Sequence, residues 1–129
     1  MADVNSESQP QPQPPSEGDA YFAPARSGRP KSIFPGVTLR AVCGEQMMLS
    51  VVDLEPGSIV QEHSHPHEQL GYLVSGVVDF TVGGVTRRLK AGDRWVIPGG
   101  VPHKVVTIEG PAVAIDIFHP IREDYREGG

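Results

Sequence analysis

The sequence predicts an all-β protein built as one domain, and three observations lead there. From about Ile33 onward the chain breaks into short runs rich in β-branched and aromatic residues, bounded by Gly, Pro, Asp or Ser. No stretch keeps a 3.6-residue apolar period without Gly or Pro intervening, so no helix is expected. A length of 129 residues fits one domain. Short strands without helices must close into a sandwich or barrel to cover their apolar faces.

The elements follow in chain order. Residues 1–20 hold four prolines, three of them in Gln-Pro steps, and almost no apolar surface to offset the entropy of ordering. They are expected to form a disordered tail, leaving 21–129 as the domain. The expected strands are 37–43, 46–54, 69–74, 77–82, 85–90, 93–97, 103–108 and 112–118. Gly83-Gly84 should turn a two-residue hairpin, because both central positions of a type I′ turn need positive φ.

Charge narrows the partners. The tail carries Asp3, Glu7, Glu17 and Asp19 and no Lys or Arg, so it accounts for −4 of the net −5 and leaves the domain nearly neutral. Arg87, Arg88 and Lys90 read as a solvated strand edge, and no nucleic-acid partner is expected. No apolar run reaches membrane-spanning length and the tail has no apolar signal region, so a cytoplasmic protein with no membrane partner is expected. The single Cys43 excludes an internal disulfide; beside Val42 and Leu39 it is expected to be buried or half-buried.

Four of the five histidines fall at two Gly-punctuated segments, GSIVQEHSHPHEQLGYLVSG (57–76) and GDRWVIPGGVPHKVVT (92–107). In an extended strand, residues i and i+2 share a face with Cα atoms roughly 6.5–7 Å apart. His63 and His65 could therefore converge on one cation with bonds of about 2.0–2.1 Å. A turn at Pro66 would return Gln69 to the same point, and His103 would enter from the start of a later strand. Three imidazoles and an oxygen leave positions open for water or substrate, the pattern of a working site. His65-Pro-His67 has the same spacing, so from these residues alone the pair could be shifted by two.

The two segments resemble the paired motifs of the cupin superfamily, G(x)5HxH(x)3–4E(x)6G and G(x)5PxG(x)2H(x)3N. The glycine frame then starts the ligands at His63 and leaves His67 in the loop. The resemblance implies a jelly-roll barrel (double-stranded β-helix) holding one divalent ion, Ni, Zn, Fe, Mn or Co, through His63, His65, Gln69 and His103. Two positions depart from it. Gln69 stands where the family has Glu, which removes a negative charge from the ion's surroundings and should strengthen it as a Lewis acid and anion binder. Thr107 replaces a non-ligand Asn. A three-histidine site without Gln69 stays open.

In the run 112–118, Val113, Ile115 and Ile117 take one face and Ala112, Ala114, Asp116 and Phe118 the other. A carboxylate there needs a partner or a wet cavity. Asp116 is expected at the barrel mouth; a core Asp bonded to Tyr72 or to a backbone amide is the alternative. The runs HSHPHEQLGYLVSG, VIP-x-x-VPH and Asp116-Ile-Phe118-His-Pro-Ile-Arg122-Glu-Asp-Tyr125 are similar to the small single-domain pectin-degradation (KdgF-type) cupins. That likeness implies conversion of 4,5-unsaturated uronates to the linear keto form. It also implies a small anionic sugar as substrate, a homodimer, and substrate-handling roles for Asp116, Phe118 and Arg122. His119 and Ile121 around Pro120 depart from the pattern. A cupin dioxygenase and a non-catalytic sugar- or metal-binding cupin share the same ligands and remain alternatives.

Overall fold

The computed structural model describes residues 21–126; the tail expected at 1–20, and the last three residues of the domain expected at 21–129, lie outside the described residues. Eight strands form: β1 (Lys31–Phe34), β2 (Val37–Cys43), β3 (Met48–Leu54), β4 (Ile59–His63), β5 (Glu68–Val82), β6 (Val85–Leu89), β7 (Arg94–Ile97) and β8 (His103–His119). No α-helix occurs among the described residues, as the sequence predicts. Every pairing is antiparallel, in the order β1-β2-β3-β8-β5-β6, with β4 also on β8 and β7 also on β5.

The two long strands build both walls of the barrel. β5 and β8 lie side by side from Glu68↔His119 to Val82↔His103. At one end of this ribbon, β3 continues the sheet beyond β8 and β7 beyond β5. At the other end, β4 flanks β8 and β6 flanks β5. Register slips at Leu73/Ser75, Ser75/Val77 and Val77/Val78 bend the ribbon between the walls, as bulges do. The result is the expected all-β jelly roll. The Gly83-Gly84 turn also forms, with φ of 57° and 82°.

Several expected boundaries change. The runs 69–74 and 77–82 are one strand, and so are 103–108 and 112–118; Gly76 and Gly110-Pro111 bend the chain without ending its pairing. β1 and β4 were not expected. Cys43 is exposed, because it closes β2 beyond the last core position.

The core follows the two-residue period. On β3, Met48, Ser50, Val52 and Leu54 are buried while Leu49 and Val51 are exposed. Val52 and Leu54 join Val37, Leu39, Leu73, Val78, Phe80, Trp95, Ile97, Val105, Ala112 and Ala114 in the main cluster. Each fully buried Leu or Ile contributes roughly 1.5–3 kcal/mol. Met48, Phe118 and Ile121 form a smaller cluster beside the barrel mouth. The opposite face of the β2-β3-β8-β5-β7 sheet is apolar too. Register aligns Val42, Leu49, Ile117, Leu70 and Val96 in one row, with Val51, Ile115 and Tyr72 in the next.

Candidate functional site

β4 delivers His63 at its last residue, paired with His103 at the first residue of β8. His65 lies just past β4 rather than on an extended strand, so the same-face spacing does not place it. The 98–100 loop does: Gly100 N–H donates to His65 O at 2.8 Å, and Gly99 packs so closely that a Cβ would sit 2.3 Å from Pro66 O. Gln69 enters from the start of β5 and is 5% exposed. The structure brings the four sequence-predicted residues together. Candidate ligand atoms of His63, His65 and His103 lie within 4.8 Å of one another.

The hydrogen bonds fix how the rings present themselves. Nδ1 of His63 lies 2.8 Å from Gln61 O, Nδ1 of His103 lies 2.9 Å from Val101 O, and Nδ1 of His65 lies 3.1 Å from His67 O. A carbonyl only accepts, so a neutral His63 or His103 ring carries its hydrogen on Nδ1 and presents a bare Nε2 lone pair, while neutral His65, with an acceptor oxygen at each nitrogen, donates to one of them. Burial, then Arg122 and His103, push His65 down to about 4; burial also lowers His103. These two rings are neutral near pH 7, the state a metal requires.

Two observations test whether a cation fits. His103 Nε2 is buried without a partner. His65 Nε2 and Gln69 Oε1 meet at 2.9 Å, within reach of one shared ion. Its length suits adjacent donors bonded to one ion at about 2.1 Å, which would take the place of the hydrogen bond between them. The residues fit a divalent metal. Carbonyls that orient each imidazole through Nδ1 are the usual supporting layer of such sites.

Asp116 sits beside this cluster, on the inner face of β8. Gln69 Nε2–H and Trp95 Nε1–H both donate to its Oδ1 at 2.9 Å. Asp116 lines the cavity beside the histidines, as expected, and its hydrogen-bond partners are Gln69 and Trp95; the alternative partner Tyr72 is on the opposite, outer face. Burial pushes its carboxyl up to about 6, against the pull of the Gln69 and Trp95 bonds and of Arg122. Phe118 is 2% exposed and meets the His65 ring edge-on at 5.6 Å. Arg122 is 8% exposed, with its guanidinium 3.8 Å from the Tyr125 ring centroid and 5.3 Å from that of Phe118. Arg122 Nη2 donates to Asp124 Oδ2 at 2.8 Å and its Nε to Oδ1 at 3.3 Å.

Some cavity residues carry no sequence motif. Trp95, Tyr125 and Ser50 line the same space, and the buried Ser50 hydroxyl has no partner. Only strand register, which pairs Ser50 with Asp116, identifies Ser50. Thr107, at the position where the motif has Asn, ties β8 to the 55–58 turn through Ser58 Oγ at 3.1 Å. His67 contributes its carbonyl to His65, and its Nδ1 is buried without a partner. Among the described residues no helix is long and apolar enough to cross a membrane.

The family profile described as "Cupin domain" matches residues 50–118. Pectin degradation protein KdgF of Dickeya dadantii is 33% identical over 82 residues, which span 63% of this chain and 74% of that protein. H2HPP isomerase of Bacillus subtilis is 36% identical over 74 residues, spanning 56% of this chain and 30% of that protein. The solved structure of KdgF from Halomonas sp. is similar with a TM-score of 0.75 and 30% identity, covering 81% of this chain and 97% of that one.

Proposed function

The chain belongs to the cupin domain family and, within it, to the KdgF group, and on that footing we propose that it is a metal-dependent isomerase opening 4,5-unsaturated uronates to their linear keto form. The single observation that carries this reading is the convergence of Asp116, Phe118 and Arg122 on the cavity beside the three histidines. His63, His65, Gln69 and His103 would hold the metal. Bound there, a divalent ion supplies positive charge for a substrate carboxylate or for an oxygen on which negative charge develops.

The reaction moves one proton and needs no oxidant. The hydroxyl at C1 gives up its proton as C1=O forms and the bond from C1 to the ring oxygen breaks. That electron pair stays on the oxygen as an enolate across C4=C5. Protonation at C4 then leaves a ketone at C5, so the product is an isomer of the substrate. Asp116 is the group for both proton steps: Oδ1 is occupied by two N–H donors, while Oδ2 remains to accept the C1 proton and return one to C4. Its raised pKa places it near the range where it can do both. Arg122 offers its guanidinium to the substrate carboxylate, held in place by Asp124 and Tyr125. Phe118 walls the sugar face and keeps the His65 ring in position.

We also propose that two copies pair through the outer sheet face. Val42, Leu49, Leu70, Tyr72 and Val96 are all more than 40% exposed there, with Val113, Ile115 and Ile117 half-buried between them. A contiguous apolar face of this kind marks an interaction surface.

The test of the activity is proton NMR of unsaturated galacturonate. Linear keto product should accumulate faster with metal-loaded protein than in buffer. Asp116→Asn should abolish the gain while binding metal in the same stoichiometry. A wild-type rate equal to buffer, across pectin- and alginate-derived unsaturated uronates, would refute the reading.

A further inference from the structure

Three neighbouring strands place Trp95, Gly71 and Asp116 in one crosswise row, through the pairs Gly71↔Trp95 and Gly71↔Asp116. The middle residue contributes no side chain, and the indole lies in the space this leaves. A Cβ on Gly71 would fall 1.9 Å from Trp95 Nε1 and 2.0 Å from Cε2. The backbone at Gly71 is ordinary extended strand, so the indole, and no turn, is what calls for glycine. Trp95 rests against Phe80, ring centroids 4.7 Å apart, and reaches across β5 to donate Nε1–H to Asp116 Oδ1 at 2.9 Å.

We propose that Gly71 and Trp95 are a positioning pair for Asp116, a slot and a donor that fix which carboxylate oxygen faces the substrate. The functional half of this inference rests on the ring-opening reading. Gln69 and Trp95 together fill the two acceptor directions of Oδ1, so only Oδ2 is left to take a proton. Without the indole, the carboxylate keeps one donor and can rotate about χ2. The proton would then land at a shifting point relative to C1 and C4, and misplacement by about 1 Å can cost on the order of 100-fold in rate. Gly71 acts only through the indole, and Trp95, which also lines the cavity, spends its one donor on Asp116.

The chain has one tryptophan, so its indole N–H gives one cross-peak in a proton–nitrogen correlation spectrum. In zinc-loaded protein that peak should exchange slowly with solvent and should move in Asp116→Asn. Trp95→Phe keeps a ring against Phe80 and removes only the donor. It should lower kcat roughly 10- to 100-fold while leaving KM and metal content little changed. Gly71→Ala should do the same and should also expose the indole to solvent exchange. An indole peak that does not respond to Asp116→Asn, or full kcat in Trp95→Phe, would overturn the proposal. If the wild-type protein opens no uronate ring, the ring-opening reading falls separately, and the indole response to Asp116→Asn alone decides whether the clamp exists.

Discussion

Replacing Asp116 by Asn should remove activity and yet stabilise the metal-free protein above about pH 6. The sign follows from linkage. Burial raises the folded carboxyl from 3.8 to about 6, so the native state binds the proton more tightly than the unfolded chain. Asp116 therefore costs nothing below the unfolded value, progressively destabilises the fold as pH rises from 3.8 to about 6, and has its full effect above that. The difference between 3.8 and about 6 corresponds to about 3 kcal/mol at full ionisation. Because one oxygen faces the cavity and can be hydrated, a gain of about 1–3 kcal/mol is expected for the neutral amide. Asn keeps an oxygen acceptor for Trp95 and Gln69, so the fold need not rearrange. Urea unfolding of both proteins in chelator, from pH 4 to pH 8, measures the difference. It should be near zero at the acid end, open between about pH 4 and pH 6 and then level off. A variant less stable than wild type at pH 8, or a difference that ignores pH, would refute the account of Asp116 as a strained, buried acid.

Three further outcomes are expected. His103→Ala should abolish stoichiometric metal binding. Wild type at 100 times its metal Kd should gain about 2.7 kcal/mol of stability, and the variant almost none at that concentration, as thermal melts with and without metal will measure. Gln69→Glu should still bind metal, but it sets a second carboxylate where the amide N–H now meets Asp116 at 2.9 Å; like-charge repulsion should raise the pH at which activity appears in a rate profile. Tyr72→Lys, on the outer face, should shift sedimentation from a dimer to a monomer mass while the far-ultraviolet spectrum stays that of wild type.

Local signals made the ligand segments legible, and long-range pairing concealed the rest. The turn at Gly83-Gly84 and the inner set Ala112, Ala114, Asp116 and Phe118 are written in neighbouring residues, and both form as read. Gly76 and Gly110-Pro111 look like strand ends, but pairing partners on both sides carry β5 and β8 through them. β4 has no clear signal in the sequence because Gln61 and Glu62 interrupt its apolar run, while His103 and Val105 across from it complete the ladder. Trp95 could not be linked to Asp116 without knowing that β7 and β8 flank the same glycine of β5. His65 reaches the cluster through the 98–100 loop, a contact between segments more than 30 residues apart.

Because β5 and β8 together carry Gln69, Gly71, His103, Asp116 and Phe118, the reactive groups cannot go astray one at a time. Sliding one long strand a single residue along the other would turn Ile115 and Ile117 into the barrel and Asp116 out to solvent, exchanging the two faces wholesale. Such a molecule would lose its interior along with its chemistry. A cell's quality control that removes poorly packed chains would thereby also remove the inactive ones, without ever testing for activity.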